Sequence, residues 1–359
     1  MLGQDDRHYL EGNIERMLNH TPIEFDAIPT PYFDPCLKRN RRTYLKFVKQ
    51  LMKLGLVEVT DKVLAEVGLF FVSKKDGTLR MIVDARPANA LFARPPHTPL
   101  CNSEIFSAFE SLNEGEGNFS EMTCDSLHPI YSGVADVDNC FHRIKIKENL
   151  GRYVVLPGAF NARELGVVGQ VYDGRVLTPD SLVRVRCAAL PMGFGWSLYF
   201  AQRINETVMS ESDKLAHSTL INDDHKSVFF DPRSPELHHF VYVDNLGVLA
   251  MEESQALAVM GDLDSLFPER GLLLHEASCG SGRRESLGTI LDCARHGTML
   301  TPKRFHRLYQ GIRALLRRKR ATGMALEIII GHCTFCSLID RRLLSFFLPH
   351  TSSSVSAIR

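Results

Sequence analysis

Net charge is the first thing this sequence lacks: 42 basic residues balance 42 acidic ones, so the molecule as a whole selects no polyanionic partner. It has no uninterrupted apolar run near the roughly 18 residues that a bilayer-spanning helix requires, which argues against a membrane partner. The N-terminus has no basic segment followed by an apolar stretch, so no secretion signal is expected. Nine cysteines, an odd number without a tight repeating spacing, argue against a disulfide framework. They predict a reducing, intracellular setting, cytoplasmic or nuclear. No internal repeat is present, and nothing is of low complexity beyond the Ser-rich end at 352–356.

What is there is a globular composition: 359 residues, 44% apolar, enough to bury a sizeable core. The charge is polarised along the chain. Residues 1–30 carry six acids (Asp5, Asp6, Glu11, Glu15, Glu24, Asp26) against two arginines, whereas residues 303–320 carry eight Lys/Arg and no acid. Leu45, Val48, Leu51, Met52 and Leu54 fall at helical spacing before a Gly55 stop. GLFFVSKK and TLRMIVDAR flank Asp76-Gly77, which predicts a two-residue hairpin turn. A two-residue turn would oppose Ser73 to Arg80 and Lys75 to Thr78. HHFVYVDNLGVLA predicts a second tight hairpin around Asp244-Asn245, and YSGVADVDNCFHRIKI a strand entering a turn or helix. Residues 87–130 read as loop and short helix, 196–212 and 255–267 as helices, GLLLHEAS and SLGTILD as strands, and 301–347 as a basic helical block. In that block Leu308, Ile312, Leu315 and Leu316 form one stripe expected to pack inward, with Arg313, Arg317 and Arg320 elsewhere on the surface. Helices mixed with antiparallel hairpins make the class α+β.

Asp136 in GVADVDNCF and Asp244 in FVYVDNLGV stand in β-runs whose apolar neighbours normally exclude charge. A carboxylate so placed needs a partner. Two such acids brought onto one sheet suit hard cations, and two cations can clamp a phosphoryl transfer. The plainer alternative for each is a capping or turn aspartate.

Several strings occur in the order in which the reverse transcriptases of retrotransposon-like elements carry their motifs. GLFFVSKKDGTLRMIVDARPAN resembles the fingers motif, ADVDNCF the first catalytic motif, LPMGF the template grip and YVDN the Tyr-x-Asp-Asp signature. GLLLHEASC and SLGTILD resemble the segments that lead from palm to thumb. The resemblance runs from about residue 40 to 345. It implies a right-hand polymerase with fingers, a ferredoxin-like palm and a helical thumb. The expected regions are an N-terminal extension at 1–40, fingers at 41–130 with a contribution from 150–186, palm at 131–149 and 187–300, thumb at 301–347, and a disordered tail at 348–359.

The resemblance further implies that Asp136 and Asp244 hold two Mg²⁺ or Mn²⁺ ions, with the Val137 carbonyl completing the shell and Asn245 beside them. Phe141 would exclude the ribose 2′ hydroxyl, making dNTP the substrate. Arg80 with Lys74 or Lys75 would bind the triphosphate; motif position favours Lys74, the hairpin pairing Lys75, and either lysine could instead be a solvated strand-edge charge. Gly193 would admit close backbone approach of a nucleotide or template. Gln202 resembles the Gln ending that motif, or is an exposed helix polar residue. Tyr242 would lie beneath the primer end, and Arg313, Arg317 and Arg320 would track the primer-template backbone, on RNA or DNA. Asp138, two residues past Asp136 in an extended strand, would share its face or stand as a structural acid.

The sequence departs from the family at Asn245, where a second aspartate is usual, at Ser278, where a lysine is usual, and at Met192, where many relatives have Gln. His332, Cys333 and Cys336 lack four metal-ligand spacings and read as helix packing. No ribonuclease H, integrase or protease constellation follows the thumb, so those activities are expected on a separate chain or a larger element. The alternative to an active polymerase is a decayed or domesticated nucleic-acid-binding relative.

Overall fold

The computed structural model describes Tyr9 and residues 14–21, 28–74, 77–102, 129–224, 236–294, 297–318 and 320–346. In chain order the strands are β1 (Val57–Thr60), β2 (Gly68–Ser73), β3 (Leu79–Asp84), β4 (Tyr131–Val137), β5 (Phe160–Asn161), β6 (Val171–Tyr172), β7 (Arg175–Val176), β8 (Leu182–Cys187), β9 (Thr219–Leu220), β10 (His238–Tyr242), β11 (Asn245–Ala250), β12 (Leu274–Gly280), β13 (Arg283–Ser286), β14 (Thr289–Asp292) and β15 (Gly297–Leu300). The longer helices are α1 (Arg41–Lys53), α2 (Ser197–Ser210), α3 (Glu253–Glu269), α4 (Pro302–Arg317) and α5 (Gly323–Ser337). The mixture is α+β, as expected. Two compact units result: Met1–Thr98 with Asp138–Thr207, and Pro99–Val137 with Val208–Arg359.

In the first unit, α1 starts where the Asn40 side chain accepts the Thr43 N–H. It buries Tyr44, Val48 and Leu51 at spacings of four and three, while Leu54 of the expected stripe is exposed. β1, β8 and β5 form an antiparallel sheet, and β2 pairs with β3. That hairpin is buried at its root (Leu69, Val83) and exposed at its tip.

Its turn is one residue longer than the Asp-Gly signal predicts. The pairs are Val72 with Arg80 and Ser73 with Leu79, and the Lys74 N–H donates to the Thr78 carbonyl at 2.7 Å. Lys74 and Thr78 therefore close a three-residue loop that ends on Gly77 at φ +83°. The pairing of Ser73 with Arg80 is thereby overturned, because Gly at the third loop position supports a left-handed residue. Lys75 and Asp76 lie outside the described residues.

In the second unit a five-stranded sheet has the order β12-β4-β11-β10-β9, antiparallel except for β10 with β9. On one face α3 lays Ala256, Val259, Met260, Leu263 and Phe267 against it, with Met260 over Gly133. The other face packs Val134, Phe240 and Leu249 against Leu291 and Cys293 from the β13-β14-β15 segment. Burying such side chains contributes about 1.5–3 kcal/mol each, which fixes which face of every strand looks inward.

The basic block forms α4 and α5, joined by a cation–π contact in which the Arg304 guanidinium lies 3.6 Å from the Phe335 ring centroid. The expected inward stripe is split: Leu308 and Leu315 are half-buried, but Ile312 and Leu316 are exposed, Leu316 at 81%. Cys333 and Cys336 lie half-buried along α5. Among the described residues no helix is long and apolar enough to cross a membrane.

Candidate active site

Strand β4 is flanked on both sides, so its side chains alternate between the α3 face and the opposite face. Asp136 falls on the face away from α3, in register with Asn245 of β11 and His275 of β12. Tyr242 in turn pairs with Asn245. One row of cross-strand neighbours thus runs His275, Asp136, Asn245, Tyr242, with Tyr242 exposed at its end.

The β10-β11 hairpin has a two-residue turn, but the turn residues are Val243 and Asp244, not Asp244 and Asn245. Asn245 is the first residue of the return strand. Val243 sits at φ +57°, a conformation in which a β-branched residue is strained by about 1–3 kcal/mol. Such strain persists only where surrounding contacts hold it. Here the Val137 N–H donates to the Asp244 carbonyl at 2.7 Å, tying the turn to the end of β4. The Asn245 amide nitrogen donates to Asp244 Oδ1 at 3.0 Å. Because Asn245 shares the face of Asp136, this bond draws the Asp244 carboxylate toward that face.

Beside Asp136 and Asn245 lies a cleft of about 320 Å³, also lined by Glu276, Ser278, Arg283 and Arg284. Beside it β12 carries one extra residue between His275 and Ser278, with Glu276 at φ +53°. Such a bulge re-aims side chains at a strand edge. Arg283 is committed to Asp292 (2.7 Å). Arg284 is half-buried and donates to the Gly280 carbonyl at 3.5 Å. The His275 ring nitrogen lies 3.1 Å from the Asp136 carbonyl. Sequence reasoning passed over His275 as part of a strand; a polar residue opposite an expected metal-binding acid was its only signal. The donor set at this end of the sheet, Asp136, Asp244, the Asn245 amide oxygen and the Val137 carbonyl, is all oxygen, the chemistry that could hold Mg²⁺ or Mn²⁺.

The first unit places the other sequence-predicted residues. Arg80 is exposed and pairs with Val72. The alternation that continues through the Lys74–Thr78 bond puts Lys74 on the face of Arg80. Burial, with Lys74 as a secondary influence, holds His142 below its ordinary pKa.

β4 ends at Val137, so the strand alternation expected to relate Asp138 to Asp136 is absent. Asn139 turns the chain at φ +48°, and Arg143 holds Asp138 through 2.6 Å contacts to its carboxylate and carbonyl. Asp138 is accordingly a structural acid. It frames the single helical turn Cys140–Arg143 that carries Phe141, which is half-buried.

Gly193 has φ +118°, and a Cβ there would lie 2.1 Å from the Val83 carbonyl oxygen. Its close approach is thus to this chain's own β3, whose Val83 N–H donates to the Met192 carbonyl at 2.9 Å. Asn89 braces the same turn, donating to the Gly193 carbonyl at 3.0 Å and accepting from the Gly195 N–H at 2.8 Å. Gln202 is 1% exposed rather than solvated, and it donates to Glu206 one helical turn on at 2.8 Å. Asp84 accepts from Arg86, which holds its carboxyl down at about 2, and from the Tyr32 N–H. Arg313, Arg317 and Arg320 are all exposed, the first two on α4 and the third beyond its end.

No protein-family model matches the sequence, and no curated protein matches it. Among solved structures it is similar to a foamy viral protease-reverse transcriptase with dsDNA, at TM-score 0.53 and 16% identity over 92% of this chain and 57% of that one. It is equally similar to the dRH form of that protein with dsDNA, at TM-score 0.52 and 16% identity, covering 95% of this chain and 50% of the other. The complex of the protease-reverse transcriptase with an RNA/DNA hybrid gives TM-score 0.52 and 16% identity over 95% of this chain and 39% of that one. The chain spans about half the length of the proteins it matches. Across nearly all of its own length, then, it has a reverse-transcriptase-like α+β polymerase fold.

Proposed function

We propose that the chain is a reverse-transcriptase-like polymerase that adds dNTPs to a primer 3′ end on an RNA or DNA template by two-metal phosphoryl transfer. The observation that carries the reading is the end of β4: Asp136 in register with Asn245, and Asp244 tied to Val137 by the 2.7 Å bond. Two carboxylates from separate segments thereby share one end of a sheet, beside an open cleft. Bound there, two divalent cations would supply activation of the primer hydroxyl and neutralisation of charge at the α-phosphate and pyrophosphate.

The chain's own residues hold the parts. Asp136, Asp244 and the Val137 carbonyl provide ligands, and Asn245 fixes the Asp244 carboxylate. Lys74 and Arg80 meet the triphosphate from one face of the β2-β3 hairpin, Arg with a forked contact and Lys as a point charge. Phe141 fills the space beside the sugar, and Asp138 with Arg143 positions its helical turn. Gly193 acts by shaping the LPMGF segment and Gln202 by bracing the helix that follows it through Glu206, while Tyr242 supports the primer end. In this reading residues 41–130 with 150–186 are fingers, 131–149 with 187–300 palm, and 301–347 thumb.

A second reading, a nucleic-acid binder that no longer polymerises, is favoured by Asn245 and Ser278, which remove a carboxylate and a cationic proton donor from the site. Primer extension on an RNA template with dNTPs and Mg²⁺ or Mn²⁺ decides between them. Extension that Asp136→Ala abolishes supports the polymerase. Tight template binding without extension under either metal supports the binder.

A further inference from the structure

The outward face of α4 is apolar and aromatic where a solvated helix face would be polar. Phe305, Tyr309, Ile312 and Leu316 fall at spacings of four, three and four, a single stripe, and are 59%, 47%, 37% and 81% exposed. The two rings are parallel, with centroids 6.3 Å apart and planes 9° apart. Arg313, one turn further on, lies with its guanidinium 5.5 Å from the Tyr309 centroid. Phe305, Tyr309 and Arg313 thus form a column of flat groups one helical turn apart, open to solvent. Residues 303–320 around it hold eight Lys/Arg and no acid. α5 covers the opposite side of the helix, through Gly311 against Ile329 and Arg304 over Phe335.

We infer that this face is a stacking platform for unpaired nucleotides of single-stranded nucleic acid. Bases present apolar π-faces that stack on aromatic rings and on guanidinium planes without sequence preference, and their phosphates need cations close by. The column supplies the first and Arg317 with Arg320 the second. A second copy of the same face is disfavoured, since Arg313, Arg317 and Arg320 would meet their own counterparts. A duplex buries its bases and offers this column no faces. The inference shares with the proposed function only the class of partner; it requires neither metals nor polymerisation.

The test uses the full chain and fluorescent U20 RNA, a blunt 20-base-pair duplex, and anionic phosphatidylserine vesicles, each titrated at two salt concentrations. The variants are Phe305→Leu with Tyr309→Leu, which keep the surface apolar but remove the π-faces, and Arg317→Gln. The leucine pair should weaken U20 binding about 5- to 100-fold per lost stack with an unchanged salt slope. Duplex affinity should hold within about twofold. Arg317→Gln should instead reduce the single-strand salt slope by about 0.7. Undiminished U20 binding by the leucine pair overturns the inference, as does an equal loss on the duplex. Vesicle binding or self-association that the leucine pair retains, with U20 not bound by the wild type, assigns the face to a lipid or protein instead. Primer extension run in parallel separates the two ideas: its absence defeats the polymerase reading and leaves a U20 defect in force.

Discussion

Replacing Asn245 by aspartate tests the site at its most informative point. In the present geometry the Asn245 amide donates to Asp244 Oδ1 at 3.0 Å, so Asn245→Asp removes a hydrogen bond to a charged group and sets a second carboxylate against the first. The lost bond is worth about 1.5–3 kcal/mol. Two unit charges about 4 Å apart repel by about 4 kcal/mol at an effective dielectric of 20, and by about 1 kcal/mol in bulk water. Both residues are half-buried and the new carboxylate can swing away, so the net cost without metal is about 1–3 kcal/mol. At about 2–4 °C per kcal/mol, the melting temperature in EDTA should fall by roughly 3–10 °C. Millimolar Mg²⁺ or Mn²⁺ should recover most of that loss, because cations that bind the folded state stabilise it by mass action and the extra carboxylate is a better ligand. Differential scanning fluorimetry of both proteins with EDTA, Mg²⁺ and Mn²⁺ reads this directly. A variant with wild-type stability in EDTA and no larger response to metal would refute the bracing role of Asn245. If the wild type extends primers, the variant should keep activity or change its metal preference; if the wild type is silent, recovered extension would identify Asn245 as the lesion.

Asp136→Ala and Asp244→Ala should each abolish extension while leaving circular dichroism unchanged; persistent extension by both would remove the carboxylates from the mechanism. Phe141→Val should let ribonucleotides compete with dNTPs, and an unchanged preference would reduce Phe141 to packing. Gly193→Ala should destabilise the first unit by several kcal/mol, since the new Cβ meets the Val83 carbonyl at 2.1 Å in a left-handed backbone; a urea midpoint within error of wild type would contradict that. Burial lowers the His239 pKa to about 4, so the unfolded chain takes up that proton first as pH drops. Stability should therefore be complete above pH 6.5 and decline toward pH 4 by about 3 kcal/mol, a loss that His239→Gln should reduce in urea titrations at pH 7 and 4.5.

The sequence made Asp136 and Asp244 conspicuous because charge is costly in an apolar strand. The hairpins were readable for a similar reason, since two apolar runs around a turn signal have few other places to go. What composition could not provide was the turn's residue count. One extra loop residue in the β2-β3 hairpin puts Lys74 on the face of Arg80, and one residue's shift in the β10-β11 turn moves Asn245 from the tip to the strand. Both outcomes depend on local backbone geometry, at Gly77 and Val243, that a dipeptide signal does not specify. Asp138 shows the same limit from another side: its partner Arg143 was in plain view, but only the left-handed Asn139 brings the two together.

The splitting of the expected α4 stripe has a different cause. Its sequence carries apolar residues on two adjoining arcs, Phe305-Tyr309-Ile312-Leu316 and Leu308-Leu315, and periodicity alone ranks neither as the buried one. The deciding features are small and local. Gly311 lies beside Leu308 and Leu315 on the side away from the aromatic arc, and its missing side chain is the space that Ile329 of α5 occupies. Arg304, on the same side, sits over Phe335 and fixes the rotation of one helix against the other. With that side taken, the aromatic arc is left to solvent together with Arg313 and Arg317. Aromatic area exposed on a helix without a single acid then becomes a statement about the partner: it must be polyanionic and must offer flat apolar faces, which is the description of an unpaired nucleic-acid strand.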